Sequence, residues 1–402
     1  MPHSDVIILG GGLTGMTLAL ALDAHGVRCA VVDPVDTQKT IATDFDGRVS
    51  AISSSSYRLL EAIGVGQHLS GKGCPIRKIW VSDGLAPGTL DFTPGEDDDP
   101  LGIMFENREL RLALQAASRT AKKLDLHIPG RAAHVDRNSD GVRVVLEDGT
   151  ALSAGLLVAA EGRHSPTRDA AHINAARWTY DEVAIVTAIR HEKPHDNVAY
   201  EIFYPDGPFA LLPMLPGNRS AIVWTVPKKR APALLALNER ALLAEMQKRI
   251  GGFLGEISFA APRSSYPLGF HHSARVVDTR LALVGDSGHG IHPVAGQGLN
   301  LGFRDVAALT EVLVDGMRLG LDPGDAQLLK RYDRWRSLDN LMVAGVSDST
   351  IRLFGLRGKT ASAARRLGMS MIGKLPPLKD RIMSEARGES GDRPKLLQGM
   401  EL

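Results

Sequence analysis

The chain has 402 residues, of which 44% are hydrophobic and 23% charged, and its formal net charge is +1. This composition is typical of a soluble globular protein with more than one ordinary core, and it gives no electrostatic reason to expect a nucleic-acid partner. The two cysteines, Cys29 and Cys74, are too few for a disulfide framework or a metal cluster, which favours a reducing compartment. No apolar run reaches the roughly 18 residues of a membrane span, and the N-terminus lacks the basic region of a signal peptide. We therefore expect a cytoplasmic protein whose membrane contact is at most peripheral.

The first 33 residues have the pattern of a dinucleotide-binding unit. Residues 5–9 form an apolar, β-branched run that predicts a buried strand, and residues 16–25 read as a helix. Between them Gly10, Gly12 and Gly15 match G-x-G-x-x-G, in which the glycines permit a tight turn, approach of a pyrophosphate and close packing of helix on strand. A second strand, 28–32, ends at Asp33, which is placed to accept hydrogen bonds from an adenosine ribose. Together these elements predict dinucleotide binding.

The next signals are weaker. Residues 46–51 precede a helix that Gly64 ends, and Arg48 in this loop either contacts a phosphate or is an ordinary surface arginine. The acidic run 96–99 is interpreted as a solvated loop tip, because no histidine or spaced carboxylate joins it to make a metal site. A helix is predicted over 107–123, with Asn107 and Arg111 on its first turns.

The middle of the chain changes from helices to strands. Short strands are predicted at 132–136 and 142–146, then a third after Gly149 and a fourth at 156–160, which ends at Glu161-Gly162. Alternating strands with hairpin turns follow, which indicates an antiparallel sheet, and a helix is predicted over 234–250. These strands cover 183–189, 198–204, 209–215 and 220–226.

A glycine-rich segment between residues 281 and 302 returns to the nucleotide-binding pattern. A short apolar strand ends at Gly285-Asp286, and Gly298-Leu299-Asn300 lead into a long helix. Amides at the start of a helix favour negative charge. Because this segment follows the antiparallel sheet, we expect the first domain to be discontinuous, with the sheet inserted into it.

Three motifs carry a family resemblance. Together with the turn at residue 10, Glu161-Gly162 and the Gly-Asp segment resemble the class A FAD-dependent aromatic hydroxylases of the p-hydroxybenzoate hydroxylase type. Residues 47–51, 207–213 and 292–302 resemble more closely the ubiquinone-biosynthesis hydroxylases, as does the segment 374–379. The resemblance covers residues 5 to about 388.

The resemblance implies an α/β fold: a Rossmann-like FAD-binding domain with an inserted antiparallel-sheet substrate domain and C-terminal helices. The implied divisions are 1–75, 103–172 and 275–345 for FAD binding, 76–102 and 173–274 for the substrate domain, and 346–402 for a basic amphipathic segment. The last of these can lie on an anionic lipid surface or simply cover the core with a charged outer face.

The resemblance also assigns site residues. Those implied to bind FAD are Gly10, Gly12, Gly15, Asp33, Arg48, Asn107, Arg111, Val135, Gly285, Asp286, Gly298, Leu299 and Asn300. Those expected to form the substrate wall are Leu212, Pro213, Met214, Val294, Ala295 and Gly296. No general base and no metal is expected: reduced flavin reacts with O2 to give a C4a-hydroperoxide, and the protein supplies position and a dry pocket. His289 and His292 are interpreted as structural more readily than catalytic, and Trp224 as core.

The implied activity is hydroxylation of the aromatic ring of a polyprenylated phenol in ubiquinone biosynthesis, alongside other proteins of that pathway. FAD is the cofactor, and NAD(P)H or another donor supplies electrons. Glu161 stands where the family usually has aspartate, which leaves the donor open. An FAD-dependent reductase of the same fold and a non-catalytic flavoprotein subunit of a quinone-making complex remain alternatives. A halogenase is disfavoured because Ile222 stands where its motif needs tryptophan.

Overall fold

The protein is described by a computed structural model that covers residues 3–42, 45–85, 89–290, 298–337 and 375–402. Its strands lie in three sheets. The first contains β1 (His3–Leu9), β2 (Cys29–Val32), β8 (Leu124–His127), β9 (Ala132–Arg137), β10 (Val142–Leu146), β11 (Ala151–Ala159), β18 (Val277–Asp278) and β19 (Leu281–Leu283). The second contains β5 (Lys78–Asp83), β6 (Leu90–Phe92), β12 (Ala175–His191), β13 (Val198–Tyr204), β14 (Gly207–Met214), β15 (Arg219–Pro227), β16 (Ile257–Phe259), β17 (Ser264–Ser273) and β20 (His289–Gly290). The third contains β3 (Val49–Ser53), β4 (Cys74–Ile76) and β7 (Gly102–Glu106).

Helices surround these sheets. They are α1 (Leu13–Ala24), α2 (Thr37–Ala42), α3 (Ser54–Ala62), α4 (Asn107–Ser118), α5 (Pro166–Ala170), α6 (Ala231–Leu235), α7 (Glu239–Ile250), α8 (Gly298–Arg318), α9 (described over 326–337) and α10 (Pro376–Ala386). Within the described ranges, none of them combines the length and apolar character that crossing a bilayer requires.

The first sheet has a parallel centre in the order β19-β11-β1-β2-β8, and the antiparallel strands β10 and β9 extend from β11. Its central strands are apolar and buried in one hydrophobic core together with α1 and α8, as expected for parallel strands buried on both faces. The carboxyl ends of β1, β11 and β19 therefore lie side by side, and the loops that follow them meet at one edge.

The second sheet is antiparallel except where β13 runs parallel to β5. One face packs against α6 and α7 around the fully buried Trp224. The other face, which we call the site face, turns toward the small third sheet: Leu212 and Ala199 share an apolar cluster with Val49 and Ala51 of β3. The α/β fold with an antiparallel second sheet agrees with the sequence-based expectation.

Several predicted element boundaries were wrong for identifiable reasons. The helix expected over 107–123 ends at Ser118, and the helix expected over 234–250 is two helices, because the Asn238 side chain accepts a hydrogen bond from Ala241 N at 2.9 Å and starts α7. The two strands expected between 149 and 160 are one strand, β11. The loop predicted at 46–51 is partly a strand, because residues 49–53 form β3 by pairing with β7, a long-range contact without a local signal.

The C-terminal residues complete the first core. Leu396 and Leu397 are buried in the same cluster as the parallel sheet, and Arg58 pairs with Glu389 at 2.6 Å. Of the predicted basic amphipathic segment, residues 346–374 lie outside the described residues. Ile382 and Met383 of α10 pack in the cluster of the third sheet, so this part of the segment covers the core.

Candidate functional site

In the turn between β1 and α1, two glycines are packed so closely against backbone atoms that no side chain fits, and a third glycine has free space beside it. A Cβ added to Gly15 would lie 1.9 Å from the Gly10 carbonyl oxygen, and one added to Gly10, whose φ is +108°, would lie 2.3 Å from the Ala160 oxygen. Gly12 has nothing within 4 Å of that position. The closed glycines bring helix and strand together, whereas Gly12 leaves room above the start of α1 for a ligand.

Asp33 closes this turn from the end of β2. Its carboxylate accepts hydrogen bonds from Gly11 N at 2.5 Å and from Val35 N at 2.7 Å. Gly130 N donates to the Asp33 carbonyl oxygen at 2.8 Å, so the loop after β8 also lies next to Asp33. Val135, predicted to lie near the adenine, is on β9 opposite Val144, and its described contacts join it to the core rather than to this turn.

The Gly285-Asp286 turn after β19 lies directly against the first turn. A Cβ on Gly285 would lie 3.1 Å from Thr14 Oγ1, and one on Gly302 would lie 3.0 Å from the same atom. The N-terminal turn, the Gly-Asp turn and the first part of α8 thus converge on Thr14. The sequence alone does not single out Thr14, because its role depends on Gly285 and Gly302, which are far from it along the chain.

A buried network around the Asp305 carboxylate holds the Gly-Asp turn in place. The Asp305 carboxylate on α8 accepts hydrogen bonds from Gly285 N at 2.8 Å, His289 Nε2 at 2.6 Å and Arg336 Nε at 2.7 Å. Burial alone would raise the pKa of Asp305, but His289 and Arg336 outweigh it and hold that pKa below its ordinary value. His289 is therefore structural, as expected. His292 lies outside the described residues.

Asp286 itself faces a recess. Its side chain is accessible to solvent, yet enough protein surrounds it that burial raises its pKa, while His289 and Arg163 act in the opposite direction. Its carbonyl oxygen lies 2.7 Å from His271 Nε2. Burial lowers the pKa of His271 to about 4, so the ring is neutral at physiological pH and Nε2 donates its proton to this oxygen. An accessible carboxyl in crowded surroundings is typical of the wall of a binding cleft.

The first turn of α8 is tied to the third sheet by Asn300. Its amide accepts from Ser53 N at 2.9 Å and donates to the Ala51 oxygen at 2.8 Å. Gly298 and Leu299 are half-buried beside it. The helix start predicted to present amides to a ligand is thus fixed against β3, whose Ala51 side chain packs in the apolar cluster on the site face.

Two arginines gather at the other end of β3. Asn107 at the start of α4 accepts a hydrogen bond from Ser50 Oγ at 2.7 Å, and its backbone N donates to the Arg48 oxygen. Burial lowers the pKa of Arg111, and the nearby Arg48 lowers it further, while Asp46 opposes both. Arg48 is exposed and pairs with Asp46 at 2.5 Å. Two like charges held together with one carboxylate favour an anionic or carbonyl-rich ligand.

Glu161 has a structural partner. Its carboxylate accepts from Ser165 Oγ at 2.5 Å and from Thr167 N at 3.2 Å, so it caps α5. Gly162 N donates to Ser287 Oγ at 3.1 Å, which joins this loop to the Gly-Asp turn. These hydrogen bonds place the Glu161 carboxylate at a helix start.

The predicted substrate wall is partly corrected by strand geometry. Successive side chains of a strand point to opposite faces, so Leu212 and Met214 share the site face whereas Pro213 points away from it. Val294, Ala295 and Gly296 lie outside the described residues. Trp224 is fully buried, and the guanidinium carbon of Arg249 lies 4.7 Å from the centroid of its ring. This confirms the assignment of Trp224 to the core.

The residues present fit FAD. The open space at Gly12 and the recess at Asp286 lie in turns that follow strands of the first sheet, and the Arg48–Arg111 pair lies beside β3, which Asn300 joins to the start of α8. Ligands of open α/β sheets bind at this edge. A phosphate-bearing, extended ligand with a polar ring at one end matches this arrangement.

Comparison with known proteins supports this assignment. The family model for the FAD binding domain matches residues 3–340. The chain is 43% identical to ubiquinone hydroxylase UbiL of Rhodospirillum rubrum over 402 residues, with 99% of this chain and 94% of the relative covered. It is 33% identical to 3-demethoxyubiquinol 3-hydroxylase of Escherichia coli, with 91% and 96% covered.

Solved structures show the same fold. The structure of p-nitrophenol 4-monooxygenase PnpA from Pseudomonas putida superposes with a TM-score of 0.81 at 16% identity and covers 98% of this chain and all of that one. At this identity the likeness concerns the fold alone.

Proposed function

Because the chain belongs to the FAD-binding domain family, and within it to the ubiquinone hydroxylases, we propose that it is an FAD-dependent monooxygenase that hydroxylates the aromatic ring of a polyprenylated phenol in ubiquinone biosynthesis. The observation that carries the proposal is the convergence of the two glycine turns and the start of α8 on Thr14. In the division we propose, residues 1–75, 103–172 and 275–345 hold FAD, and 76–102 and 173–274 provide the substrate side.

The proposed contacts follow the order of the recess. Amides at Gly12 and the start of α1 bind the pyrophosphate, and the remaining lone pairs of Asp33 accept from the adenosine ribose. Asp286 binds the ribityl and pyrophosphate region, and Arg48, Asn107 and Arg111 flank the flavin. Bound FAD, once reduced, supplies an activated oxygen atom from O2.

The protein's own part is orientation and exclusion of water. The site face presents Leu212 and Met214 to the substrate, and the apolar side chains around them keep the cleft dry. The helix start at Gly298 stabilises negative charge on the cofactor. We propose that NAD(P)H or another donor binds transiently, since Glu161 is occupied by its helix-capping hydrogen bonds.

We also propose a peripheral contact with the membrane that contains the prenylated substrate. It is supported by Leu375 and Leu378 at the start of α10, which are 50% and 40% exposed next to Lys379. Truncation of the tail cannot test this, because Leu396 and Leu397 belong to the core. Replacing both exposed leucines by aspartate should instead weaken binding to anionic liposomes and leave the melting temperature unchanged; unchanged liposome binding would refute the contact.

The activity is tested by single turnover. Purified protein with chemically reduced FAD is mixed with labelled dioxygen and an ortho-prenylphenol, and the product is analysed by mass spectrometry. Incorporation of one labelled oxygen into the ring supports the proposal. A saturated prenyl chain without added oxygen indicates a reductase, and no reaction with any prenylated phenol indicates a non-catalytic flavoprotein.

A matched variant links this activity to the site. Asp286→Ala should leave a folded protein that has lost most of its FAD, since the carboxyl has no structural hydrogen bond among the described contacts while its backbone holds the turn. Full retention of FAD would remove Asp286 from the proposed contacts.

A further inference from the structure

Glu201 occupies the middle of β13, between two apolar neighbours. It pairs with Ala210 on β14 and with Val81 on β5. Successive residues of a strand point to opposite faces of the sheet, so Tyr200 and Ile202 share one face while Ala199 and Glu201 share the other. Tyr200 and Ile202 pack with the cluster beneath α7, whereas Ala199 packs with Leu212. The Glu201 side chain therefore projects from the site face.

This face is the one that the candidate site uses. Leu212 packs with Val49 and Ala51 of β3, and the Ala51 oxygen accepts the hydrogen bond from Asn300. A carboxyl on the same face as Leu212 thus lies on the side of the sheet that turns toward β3 and, through β3, toward the helix start that is proposed to hold the flavin ring.

The Glu201 carboxyl has no partner within the described residues. No hydrogen bond or ion pair of the described chain reaches it, although it is half-buried. Burial raises its pKa to about 7, and no charged side chain contributes to that shift. A desolvated carboxyl without a hydrogen bond is unfavourable for the fold, so its position calls for a ligand.

Other ionisable groups lie on the elements packed on this face. They are Asp83 on β5, Cys74 on β4, Glu106 on β7, which pairs with Arg219 on β15, and Lys379, Asp380, Arg381 and Glu385 on α10. The Cys74 thiol is buried, and burial raises its pKa to about 11, so it stays neutral at physiological pH.

We propose that Glu201 is the general base that accepts the hydroxyl proton of the phenol substrate during ring hydroxylation. This inference rests on the proposed function and adds a catalytic residue to it. Sequence reasoning, which expected no base, had one usable signal: an acid in the middle of a strand that is apolar on both faces.

The step is a proton transfer. The phenol O–H bond breaks, an O–H bond forms on the Glu201 carboxylate, and the electron pair stays on the phenol oxygen, from which it enriches the ring carbons that take up oxygen. No oxidant is needed for this step, and the proton on Glu201 later leaves in the water that the monooxygenase reaction produces. A base with a pKa near the working pH is suited to this transfer.

The first test measures binding without turnover. Oxidised holoprotein is titrated with ortho-prenylphenol and with its methyl ether between pH 5 and pH 9, on the order of two units either side of the titration of Glu201. The phenol, which donates to the carboxylate, should bind more tightly as the pH rises through 7, whereas the ether should bind more weakly. In Glu201→Gln both affinities should be independent of pH. A phenol and an ether with the same pH dependence in the wild-type protein would overturn the proposal.

The second test uses single turnover of reduced holoprotein. Glu201→Gln should keep its FAD and melt no lower than the wild-type protein, but form the hydroxylated product about 100-fold more slowly, without the rise in rate through pH 7. Glu182→Gln, on β12 of the same sheet, is the control and should behave like wild type.

The two tests separate the failure of each proposal. If wild type incorporates labelled oxygen and Glu201→Gln does so at the same rate, the base role is overturned and the proposed function stands. If wild type hydroxylates no phenol, the proposed function and the base role are overturned together, whatever the binding curves show.

Discussion

Asp305 and Glu201 are both enclosed carboxyl groups, and the fold treats them in opposite ways. Asp305 accepts hydrogen bonds from Arg336, His289 and a backbone amide, and the two side chains hold its pKa below the ordinary value. No hydrogen bond or ion pair from the described residues reaches the Glu201 carboxyl, and burial raises its pKa to about 7. The protein therefore satisfies one carboxylate itself and leaves the other for a ligand. Environments that push two pKa values apart distinguish structural from reactive groups.

The sharpest test of this comparison is Asp305→Asn. Removing this charge takes away the buried carboxylate to which Arg336, His289 and Gly285 N are bonded, which should lower the free energy of unfolding by about 3–5 kcal/mol. Urea denaturation measures the loss. The control is Asp315→Asn. Asp315 lies on α8 like Asp305 but forms a partly exposed pair with Arg331, so the expected loss is at most about 1 kcal/mol. Equal losses would mean that the network does not support the turn.

The pH dependence of this network has a defined sign. Because the pKa of Asp305 in the folded protein lies below its ordinary value of 3.8, its contribution to stability is present above that value and is lost as the pH falls through the folded pKa. Asp305→Asn should therefore show a shallower loss of stability in acid than the wild-type protein.

Gly15 and Gly12 of the first turn also differ in this way: one is packed against the protein itself and the other leaves space for a ligand, and no charge is involved. Gly15→Ala forces a Cβ against the Gly10 carbonyl, so it should lower the free energy of unfolding by about 3 kcal/mol and release FAD. Gly12→Ala meets open space, so the apoprotein should keep its stability while the affinity for FAD falls. Thermal melting without FAD and fluorimetric FAD titration separate the two. Equal melting temperatures of the two variants would contradict the assignment of Gly15 to packing.

Glu201→Gln should change stability in the direction opposite to Asp305→Asn. The pKa rises from 4.5 to about 7, so stability is fully present below 4.5 and is lost as the pH rises through 7. At about 1.4 kcal/mol per unit, the variant should gain at most about 3 kcal/mol at pH 8 and nothing at pH 4. Denaturant midpoints at the two pH values check this. A variant that is less stable at pH 8 would show that Glu201 has a structural partner.

The smallest effect is expected at Arg111. Burial and Arg48 lower its pKa, so Arg111→Met should leave the apoprotein as stable as wild type or more stable. Its proposed contact with FAD is worth about 1.5 kcal/mol, so affinity should fall roughly tenfold, and less so at high salt. Arg168→Met provides the contrast, because Arg168 is fully buried and bonded to Arg163 O and Ser287 O. That variant should lose stability.

Sequence reasoning succeeded where structure is determined locally. The turn at Gly10–Gly15 and the strands β13, β14 and β15 follow from glycine sterics and from hydrophobic alternation with hairpin turns. It failed where a role depends on a distant partner: β3 exists because β7 pairs with it, and Thr14 matters because Gly285 and Gly302 approach it.

The candidate site divides in the same way. Gly12 and Asp33 could be identified from spacing, whereas Asp305 and Arg336 are an acid and a base on different helices whose pairing no local pattern indicates. Glu201 was overlooked because a single acid in a strand has no assigned face until the neighbouring strands are known. Pro213 was placed in the wall with its neighbours because a contiguous apolar run was read without the alternation of a strand.

The strand order of the first sheet has a consequence for synthesis of the chain. β1 pairs with β11, which pairs with β19, and Leu396 and Leu397 complete the core around them. Contacts between residues so far apart in sequence form slowly. The glycine turn at residues 10–15 therefore cannot take its final packing until residues 396 and 397 have been synthesised, whereas the strands from β12 to β15 can pair as they appear. The antiparallel sheet can thus form during translation, earlier than the parallel sheet that the proposed function assigns to FAD.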